Sequence, residues 1–260
     1  MRLEARGLTL RYGEREAVRN VSLAIESGEI VAVAGPNGSG KSTLLRGLAR
    51  LHRPSAGEVL LGETEIRGLG AREVARRLAI LPQIPDAAAD LTVRELVWRG
   101  RYPHQGVLQR ATAKDYEAVR WALAAARLDE LAERPIGRLS GGERQRAWIA
   151  LALAQEPRVL LLDEPTSFLD LQHQVEVMEL LRRLNADGLT VVAVLHDLVL
   201  AARFARRVIL MRDGRVEADG TPGEVFTATE LERVFRVPMM VLKDPETGLP
   251  VPLPRATPTG

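Results

Sequence analysis

The sequence predicts an α/β fold in which helices cover both faces of a mostly parallel sheet. Short and largely apolar runs at Ile30 to Ala34, Val159 to Leu162 and Thr190 to Leu195 have the length and composition of buried strands. Stretches with helical periodicity lie between these runs, and strands that alternate with helices pair in parallel. The fold class follows from these two observations together.

The elements of residues 1–83, the first predicted segment, are mostly strands. Leu3 to Leu10 alternates in part between polar and apolar residues, and Val21 to Ile25 is a second short strand. After the first buried run, a helix is predicted from Lys41 to about Leu51, where proline and glycine follow. Glu58 to Leu61 has the pattern of another short strand.

Helical patterns dominate residues 84–157, the second predicted segment. Thr92 to Glu95 (TVRE) has capping-box spacing, which predicts a helix start. Lys114 to Arg127 places apolar residues on one face, and Glu143 to Gln155 is another helical stretch. We therefore expect an inserted helical subdomain here.

Strands and helices alternate again over residues 158–237, the third predicted segment. Helices are predicted at Gln172 to Asn185 and from Asp197 to about Arg206, and Val208 to Met211 has the pattern of a strand. Residues 238–260 are rich in proline, so we expect an extended or loosely ordered tail.

Composition and charge exclude several classes of function. The 260-residue chain is 46% hydrophobic and 27% charged, as soluble globular proteins are. It has no cysteine, which excludes disulfides and thiolate metal sites. A net charge of +2 without a dense basic block is not the pattern of a nucleic-acid-binding protein. No apolar run approaches the roughly 18 residues of a membrane-spanning helix, so we expect a soluble protein.

A phosphate-binding loop follows the first buried run. GPNGSGKST fits the pattern G-x-x-x-x-G-K-[ST] and lies between a predicted strand and a predicted helix, as that pattern requires. It comprises Gly35, Pro36, Asn37, Gly38, Ser39, Gly40, Lys41, Ser42 and Thr43. Its glycines let backbone N–H groups approach phosphate, Lys41 can reach the β- and γ-phosphates, and the Ser42 hydroxyl can ligate Mg²⁺. Lys41 is one of only 3 lysines against 33 arginines, which indicates that a compact point charge is needed there. Since the strand, the helix and this lysine all agree with the motif, a glycine-rich turn without a ligand is disfavoured.

Two further motifs bear on phosphate chemistry. The buried run VLLLDE ends in Asp163, which could hold Mg²⁺ through water, and Glu164, which could polarise an attacking water. Alone, two acids at a strand end are equally typical of a solvated turn. LSGGE, with Ser140, Gly141 and Gly142, combines glycines with a predicted helix start, where backbone N–H groups favour an anion.

In their order along the chain, these motifs resemble those of ABC transporter ATPase subunits. The order is the phosphate loop, LPQ at 81–83, LSGGE at 139–143, VLLLDEP at 159–165, SFLD at 167–170 and a histidine at 196. The resemblance implies a P-loop NTPase core with an N-terminal antiparallel β part, an ATPase activity, and ATP and Mg²⁺ as cofactors. It implies that Tyr12 stacks on adenine and that Gln83 senses Mg²⁺ and the membrane partner. It further implies that Asp170 lines a subunit interface and that His196 contacts the γ-phosphate.

The resemblance also implies partners. Two chains would pair head to tail, so that each ATP lies between the phosphate loop of one chain and Ser140, Gly141 and Gly142 of the other. The second ATPase subunit would be a copy of this chain, with a different ATPase chain as the alternative. The pair would bind a polytopic membrane permease at the cytoplasmic face, with a substrate-binding protein as an indirect partner. No nucleic-acid partner is expected.

Two segments resemble importers of ferric siderophores, haem and cobalamin: TVRELVWRGRYPHQG at 92–106 and SFLDLQHQVEVMELLRRLN at 167–185. Phe168 replaces the small residue more usual in its loop, as in some of these importers. We expect uptake of an iron chelate, a ferric siderophore first, with haem, cobalamin, manganese or zinc as alternatives. Repair and chromosome-segregation ATPases separate these motifs by long coiled coils, and ABC translation factors usually carry two ATPase units, so both classes are disfavoured.

Overall fold

The structure is a computed structural model that describes residues 1–83, 90–106 and 111–255. Its strands are β1 (Leu3–Tyr12), β2 (Arg15–Ile25), β3 (Ile30–Ala34), β4 (Ala56–Leu61), β5 (Thr64–Glu65), β6 (Leu78–Leu81), β7 (Val159–Asp163), β8 (Thr190–Val194), β9 (Arg207–Arg212), β10 (Arg215–Gly220), β11 (Met239–Lys243) and β12 (Pro250–Pro254). Its helices are α1 (Lys41–Leu48), α2 (Ala71–Arg77), α3 (Val93–Trp98), α4 (Ala113–Ala125), α5 (Gly141–Leu153), α6 (Leu171–Ala186), α7 (Leu198–Phe204), α8 (Pro222–Val225) and α9 (Ala228–Phe235).

The chain divides into two compact units. Met1–Ile66 and Val192–Gly260 form the first, and Arg67–Val191 forms the second. These boundaries differ from the four segments expected from the sequence, so that division stays a prediction. The first six residues of the expected helical subdomain, 84–89, lie outside the described residues.

The first unit contains the N-terminal β part and strands of the main sheet. Strands β2-β1-β4-β5 form an antiparallel sheet in that order, with Leu3 opposite Ile25 on one side and Leu61 on the other. Strands β10-β9-β3-β8 are neighbours in the second sheet, where β3 runs parallel to β9 and β10 runs antiparallel to β9. Every residue of β3 is buried, as its apolar run predicts. The predicted α/β class and antiparallel β part are confirmed.

The second unit combines parallel strands with helices. Strands β6 and β7 pair in parallel, and β7 is buried along its whole length. Helix α5 packs against α3, α4 and α6. The predicted capping box at Thr92 is present, since its hydroxyl accepts from the Glu95 N–H and the Glu95 carboxylate accepts from the Thr92 N–H.

A buried ion pair, which no local sequence pattern marks, joins three helical segments of the second unit. Arg101 is 1% exposed, and its guanidinium donates to Asp115 at 3.0 Å, to the Ala154 carbonyl at 2.6 Å and to Glu156 at 2.8 Å. Burial alone would raise the pKa of Asp115. Hydrogen bonds from Thr112 and Arg101 outweigh that effect and hold this pKa below its ordinary value.

The proline-rich C-terminal segment is more ordered than a loose tail as far as residue 255. Strands β11 and β12 form an antiparallel hairpin in which Met239 lies opposite Pro254. Arg203 of α7 donates to Asp244 at 2.9 Å, and β12 packs against α7. Among the described residues, no helix combines the length and apolar character needed to cross a bilayer.

Candidate functional site

The phosphate loop has a backbone that glycine alone fits at two positions. Gly35 has φ +147° and Gly40 has φ +101°, both in the region that side chains disfavour. A Cβ at Gly35 would overlap the Met211 carbonyl oxygen and lie 3.1 Å from Ser39 Oγ. A Cβ at Gly40 would overlap the Ala17 carbonyl oxygen. The neighbouring strands therefore leave room for the loop's bare backbone only.

Two polar side chains of this loop are buried. Lys41 is 5% exposed, and its ammonium donates to the carbonyls of Gly35 at 2.8 Å and Pro36 at 2.9 Å. Ser39 is 2% exposed, and its hydroxyl is one of the few buried side-chain groups in the described part of the chain without a hydrogen-bond partner. A buried hydroxyl left unsatisfied costs about 1–3 kcal/mol, so this group favours a ligand oxygen. The loop fits a phosphate better than it fits an empty turn.

Two other predicted residues belong to the same unit as the loop. Tyr12 ends β1 and is 47% exposed, and its ring lies 4.5 Å from that of His52, centroid to centroid. His196 follows β8 and is exposed, directly before Asp197, whose carboxylate caps α7. Both predicted residues therefore present side chains to solvent.

The predicted catalytic acid lies beside the predicted glutamine in the second unit. Glu164 accepts from Gln83 Nε2 at 3.2 Å and from Ser167 Oγ at 3.0 Å. Its φ is +56°, a left-handed conformation that is uncommon for a residue with a side chain and that recurs at functional sites. Asp163, 5% exposed, ends β7 directly before it. The turn after β7 thus holds the Glu164 carboxylate between two donors.

The LSGGE segment forms a capped helix start. Ser140 is the N-cap of α5, its hydroxyl accepts from the Glu143 N–H at 3.2 Å, and Glu143 accepts from the Ser140 N–H at 2.8 Å. The bond from that backbone N–H is the main reason that the pKa of Glu143 lies below its ordinary value. This capping box fixes the direction in which Gly141 and Gly142 enter the helix.

His173, which belongs to none of the predicted motifs, connects this segment to Asp170. Asp170 caps α6 and accepts from the His173 N–H at 2.9 Å, and its Oδ1 lies 2.7 Å from His173 Nδ1. The backbone bond is the main cause that lowers the pKa of Asp170. A Cβ at Gly142 would lie 2.5 Å from His173 Cγ, so the imidazole packs directly on this glycine.

The structure therefore brings together two pairs of predicted site residues within the second unit. Gln83 contacts Glu164, and Gly142 of the LSGGE segment contacts His173, which in turn contacts Asp170. No local pattern marked His173, because its contact with Gly142 spans two helices.

Comparison with protein families decides what this chain is. Residues 18–167 match the family model described as ABC transporter. The chain belongs to the ABC transporter family. This ABC transporter chain is 46% identical to the ferric enterobactin transport ATP-binding protein FepC of Escherichia coli strain K12, over 99% of this chain and 96% of that protein.

Two solved structures resemble the fold of this ABC transporter chain. An inward-facing metal-chelate type ABC transporter has a TM-score of 0.86 and 29% identity, over 98% of this chain and 97% of that one. A dimeric structure of the ATP-binding cassette MJ0796, in a post-hydrolysis state with ADP and Pi, has a TM-score of 0.72 and 33% identity, over 84% and 98%. The resemblance to ABC transporter ATPase subunits that the motifs indicate is confirmed.

Proposed function

We propose that this chain is the ATP-hydrolysing subunit of an importer and powers uptake of a ferric siderophore through a separate membrane permease. The observation that carries the hydrolytic part is the phosphate loop, whose glycine backbone, buried Lys41 and unsatisfied Ser39 hydroxyl fit a bound phosphate. The 46% identity to a ferric enterobactin transport protein, together with the fold shared with a metal-chelate type transporter, supports the cargo.

The residues of the loop would bind ATP in a defined way. Lys41 would exchange its bonds to the Gly35 and Pro36 carbonyls for bonds to the β- and γ-phosphates, which are better partners for an ammonium ion than neutral carbonyls. Backbone N–H groups of the loop, at every position from 35 to 43 except Pro36, would hold the remaining phosphate oxygens, with Thr43 at the start of α1. Tyr12 would stack on adenine through its exposed face.

Mg²⁺ is the metal that these residues suit. Ser42, Asp163 and Gln83 offer hydroxyl, carboxylate and amide oxygens, the hard ligands that Mg²⁺ prefers. When bound, the ion neutralises charge on the transferred phosphoryl group. Glu164 would accept a hydrogen bond from the attacking water, and His196 would contact the γ-phosphate.

Two copies of the chain would complete each ATP site. Ser140, Gly141 and Gly142 of one copy would contact the γ-phosphate held by the other, and Asp170 would line the interface between them. The dimeric cassette with ADP and Pi supports this pairing.

Cysteine cross-linking tests the pairing, and the chain has no native cysteine to interfere. The residues to replace are Asn37 and Arg138, because both are exposed and neither has the positive φ of Gly38. We expect ATP to promote an Asn37→Cys to Arg138→Cys cross-link between two chains, while a control pair with Lys243→Cys in place of Arg138→Cys stays uncoupled. Hydrolysis without any ATP-promoted cross-link would refute the shared site.

The cargo proposal is tested in cells that lack the gene. The pair of chains would act at the cytoplasmic face of the membrane, bound to a polytopic permease and served indirectly by a substrate-binding protein. Growth is measured with a ferric siderophore, haem, cobalamin or free manganese as the limiting nutrient, with complementation by the wild type and by Glu164→Gln. Selective loss on the siderophore, restored by the wild type alone, is the expected result. A selective loss of growth on one of the other nutrients would identify that nutrient as the cargo and exclude the siderophore.

A further inference from the structure

The loop that follows the phosphate-binding helix is bonded to the strand that carries Tyr12. Helix α1 begins at Lys41 and ends at Leu48, and the chain then reaches His52, whose N–H donates to the Arg46 carbonyl at 3.1 Å. Further along, the Ser55 N–H donates to the Thr9 carbonyl of β1 at 2.9 Å. The loop is thereby held against both α1 and β1.

The His52 ring has a fixed orientation in this loop. Its Nε2 lies 2.9 Å from the Arg11 carbonyl oxygen, and since a carbonyl oxygen only accepts, Nε2 carries the hydrogen and donates. Arg11 is the residue directly before Tyr12 in β1, so the same bond brings the imidazole to the tyrosine side chain. The two ring centroids are 4.5 Å apart, and the ring planes are inclined by 54°.

The contact with His52 leaves much of the Tyr12 side chain open. Tyr12 is 47% exposed although its ring touches His52, so one part of the ring is covered and another faces solvent. A tyrosine on the protein surface loses rotamer freedom when a ligand stacks on it, and a neighbour that already restricts the ring reduces that loss.

We propose that His52 is a positioning residue for the nucleotide base, which orients the Tyr12 ring so that its open face is ready for adenine. The proposal rests on the proposed function, because it takes Tyr12 as the platform for the base. His52 acts through Tyr12 and does not touch the phosphates. Its removal should therefore weaken base-dependent binding by about 2- to 10-fold, the range expected for one side chain that must be ordered on binding.

The test compares two ligands, by titration calorimetry on the full chain. One is AMP-PNP, a non-hydrolysable ATP analogue with the base, and the other is inorganic tripolyphosphate, which lacks it. For His52→Ala we expect weaker AMP-PNP binding and unchanged tripolyphosphate binding. Equal weakening for both ligands, or no change for either, would overturn the proposal.

Two replacements separate the ring contact from the hydrogen bond. His52→Phe keeps a ring beside Tyr12 and loses the donor to Arg11, whereas His52→Gln keeps a donor and loses the ring. We expect His52→Phe to bind AMP-PNP more tightly than His52→Gln, and the reverse order would contradict a role through the ring. His104→Ala is the matched control, because His104 Nε2 also lies beside a backbone carbonyl, that of Gln155 at 2.8 Å, in the other unit. It should bind both ligands as the wild type does.

A double variant shows whether His52 acts through Tyr12. In a Tyr12→Ala background, His52→Ala should have no further effect on AMP-PNP binding, and an additive loss would overturn the proposal. If Tyr12→Ala weakens the binding of both ligands equally, Tyr12 does not stack on the base. The role proposed for His52 is then also wrong. If neither ligand binds to the wild type, the proposed function itself fails. Thermal unfolding of each variant confirms that the compared proteins are folded.

Discussion

Gly142→Ala should disturb the contact between helix α5 and His173. The new Cβ would lie 2.5 Å from His173 Cγ and 2.8 Å from His173 Cβ, where ordinary contacts lie at 3.4–4 Å. The ring must therefore move by about an ångström or more. It is held in place by Asp170, which lies 2.7 Å from its Nδ1 and accepts from its backbone N–H. The strain is therefore passed on to Asp170.

The magnitude follows from two opposing effects. Overpacking of a well-packed contact costs about 1–3 kcal/mol. Alanine gains up to about 1 kcal/mol over glycine in a helix, and Gly142 is the second residue of α5. We expect a net loss of about 1–2 kcal/mol in the free energy of unfolding. ATP turnover should fall by a larger fraction, because Gly142 is proposed to contact the partner's ATP and Asp170 is proposed to line the interface between the two copies.

Urea unfolding and steady-state ATP turnover measure these effects. Gly223→Ala is the matched control, since Gly223 is also the second residue of its helix and a Cβ there would meet nothing within 4 Å. His173→Gly should restore turnover to Gly142→Ala, because it removes all the atoms that clash. His173→Ala should restore less, because it keeps the Cβ at 2.8 Å.

Two results would refute this reasoning. Gly142→Ala could be as stable and active as Gly223→Ala, or the paired variant with His173→Gly could show no recovery. A carboxylate at position 142, as in Gly142→Asp, would meet the same ring, so its effect would combine this clash with repulsion of the γ-phosphate.

The remaining predictions concern catalysis, a buried ion pair and acid stability. Glu164→Gln should bind ATP and lose nearly all turnover, since an amide fills the same space without accepting a proton. It should also form an ATP-dependent dimer, seen as an increase in molecular size. Turnover close to that of the wild type would show that Glu164 does not activate the water. Arg101→Ala should lower the free energy of unfolding, measured with urea, by about 3–5 kcal/mol, because it leaves the buried Asp115 carboxylate without the cation that pairs with it and with hydrogen bonds from Thr112 alone. The exposed Lys114→Ala should change the free energy of unfolding little, and similar values for both variants would contradict this explanation. The pKa of Glu143 in the folded protein lies below its ordinary 4.5. The ionised carboxylate therefore stabilises the folded state fully above pH 4.5, and this stabilisation is lost as the pH falls through the folded-state pKa. The free energy of unfolding of Glu143→Gln should therefore depend less on pH below about 4.5 than that of the wild type. If the two proteins show the same pH dependence there, the capping box is not the cause of the acid sensitivity.

The sequence predicted the strands and motifs whose signals are local. A fully apolar run such as Ile30 to Ala34 needs no distant information to be a buried strand, and β3 has those bounds. Gly35 and Gly40 were predicted from a motif, and their positive φ values give that motif a structural cause. The roles assigned to these residues toward ATP stay predictions.

The C-terminal hairpin was not predictable in the same way. Pro250, Pro252 and Pro254 lack an N–H and usually argue against a strand. In a two-stranded antiparallel pair, only every second residue donates across the ladder, and these prolines occupy alternate positions of β12. The strand tolerates these prolines because its register with β11 places Pro254 opposite Met239. Register depends on two segments together, so the sequence of β12 alone does not predict it.

The roles of two histidines could not be predicted from the sequence around them. His52 and His173 carry no signal in the residues around them, and both acquire a role only from a partner elsewhere in the fold. Gly142 adds a further difficulty, because two causes would each require glycine there: the close approach to the His173 ring that the structure shows and the approach to the partner's γ-phosphate that we propose. A motif match records only that glycine is present. The ring can be removed while the phosphate cannot, so His173→Gly in the Gly142→Ala background separates the two causes: turnover returns if the ring is the constraint, and stays low if the phosphate is.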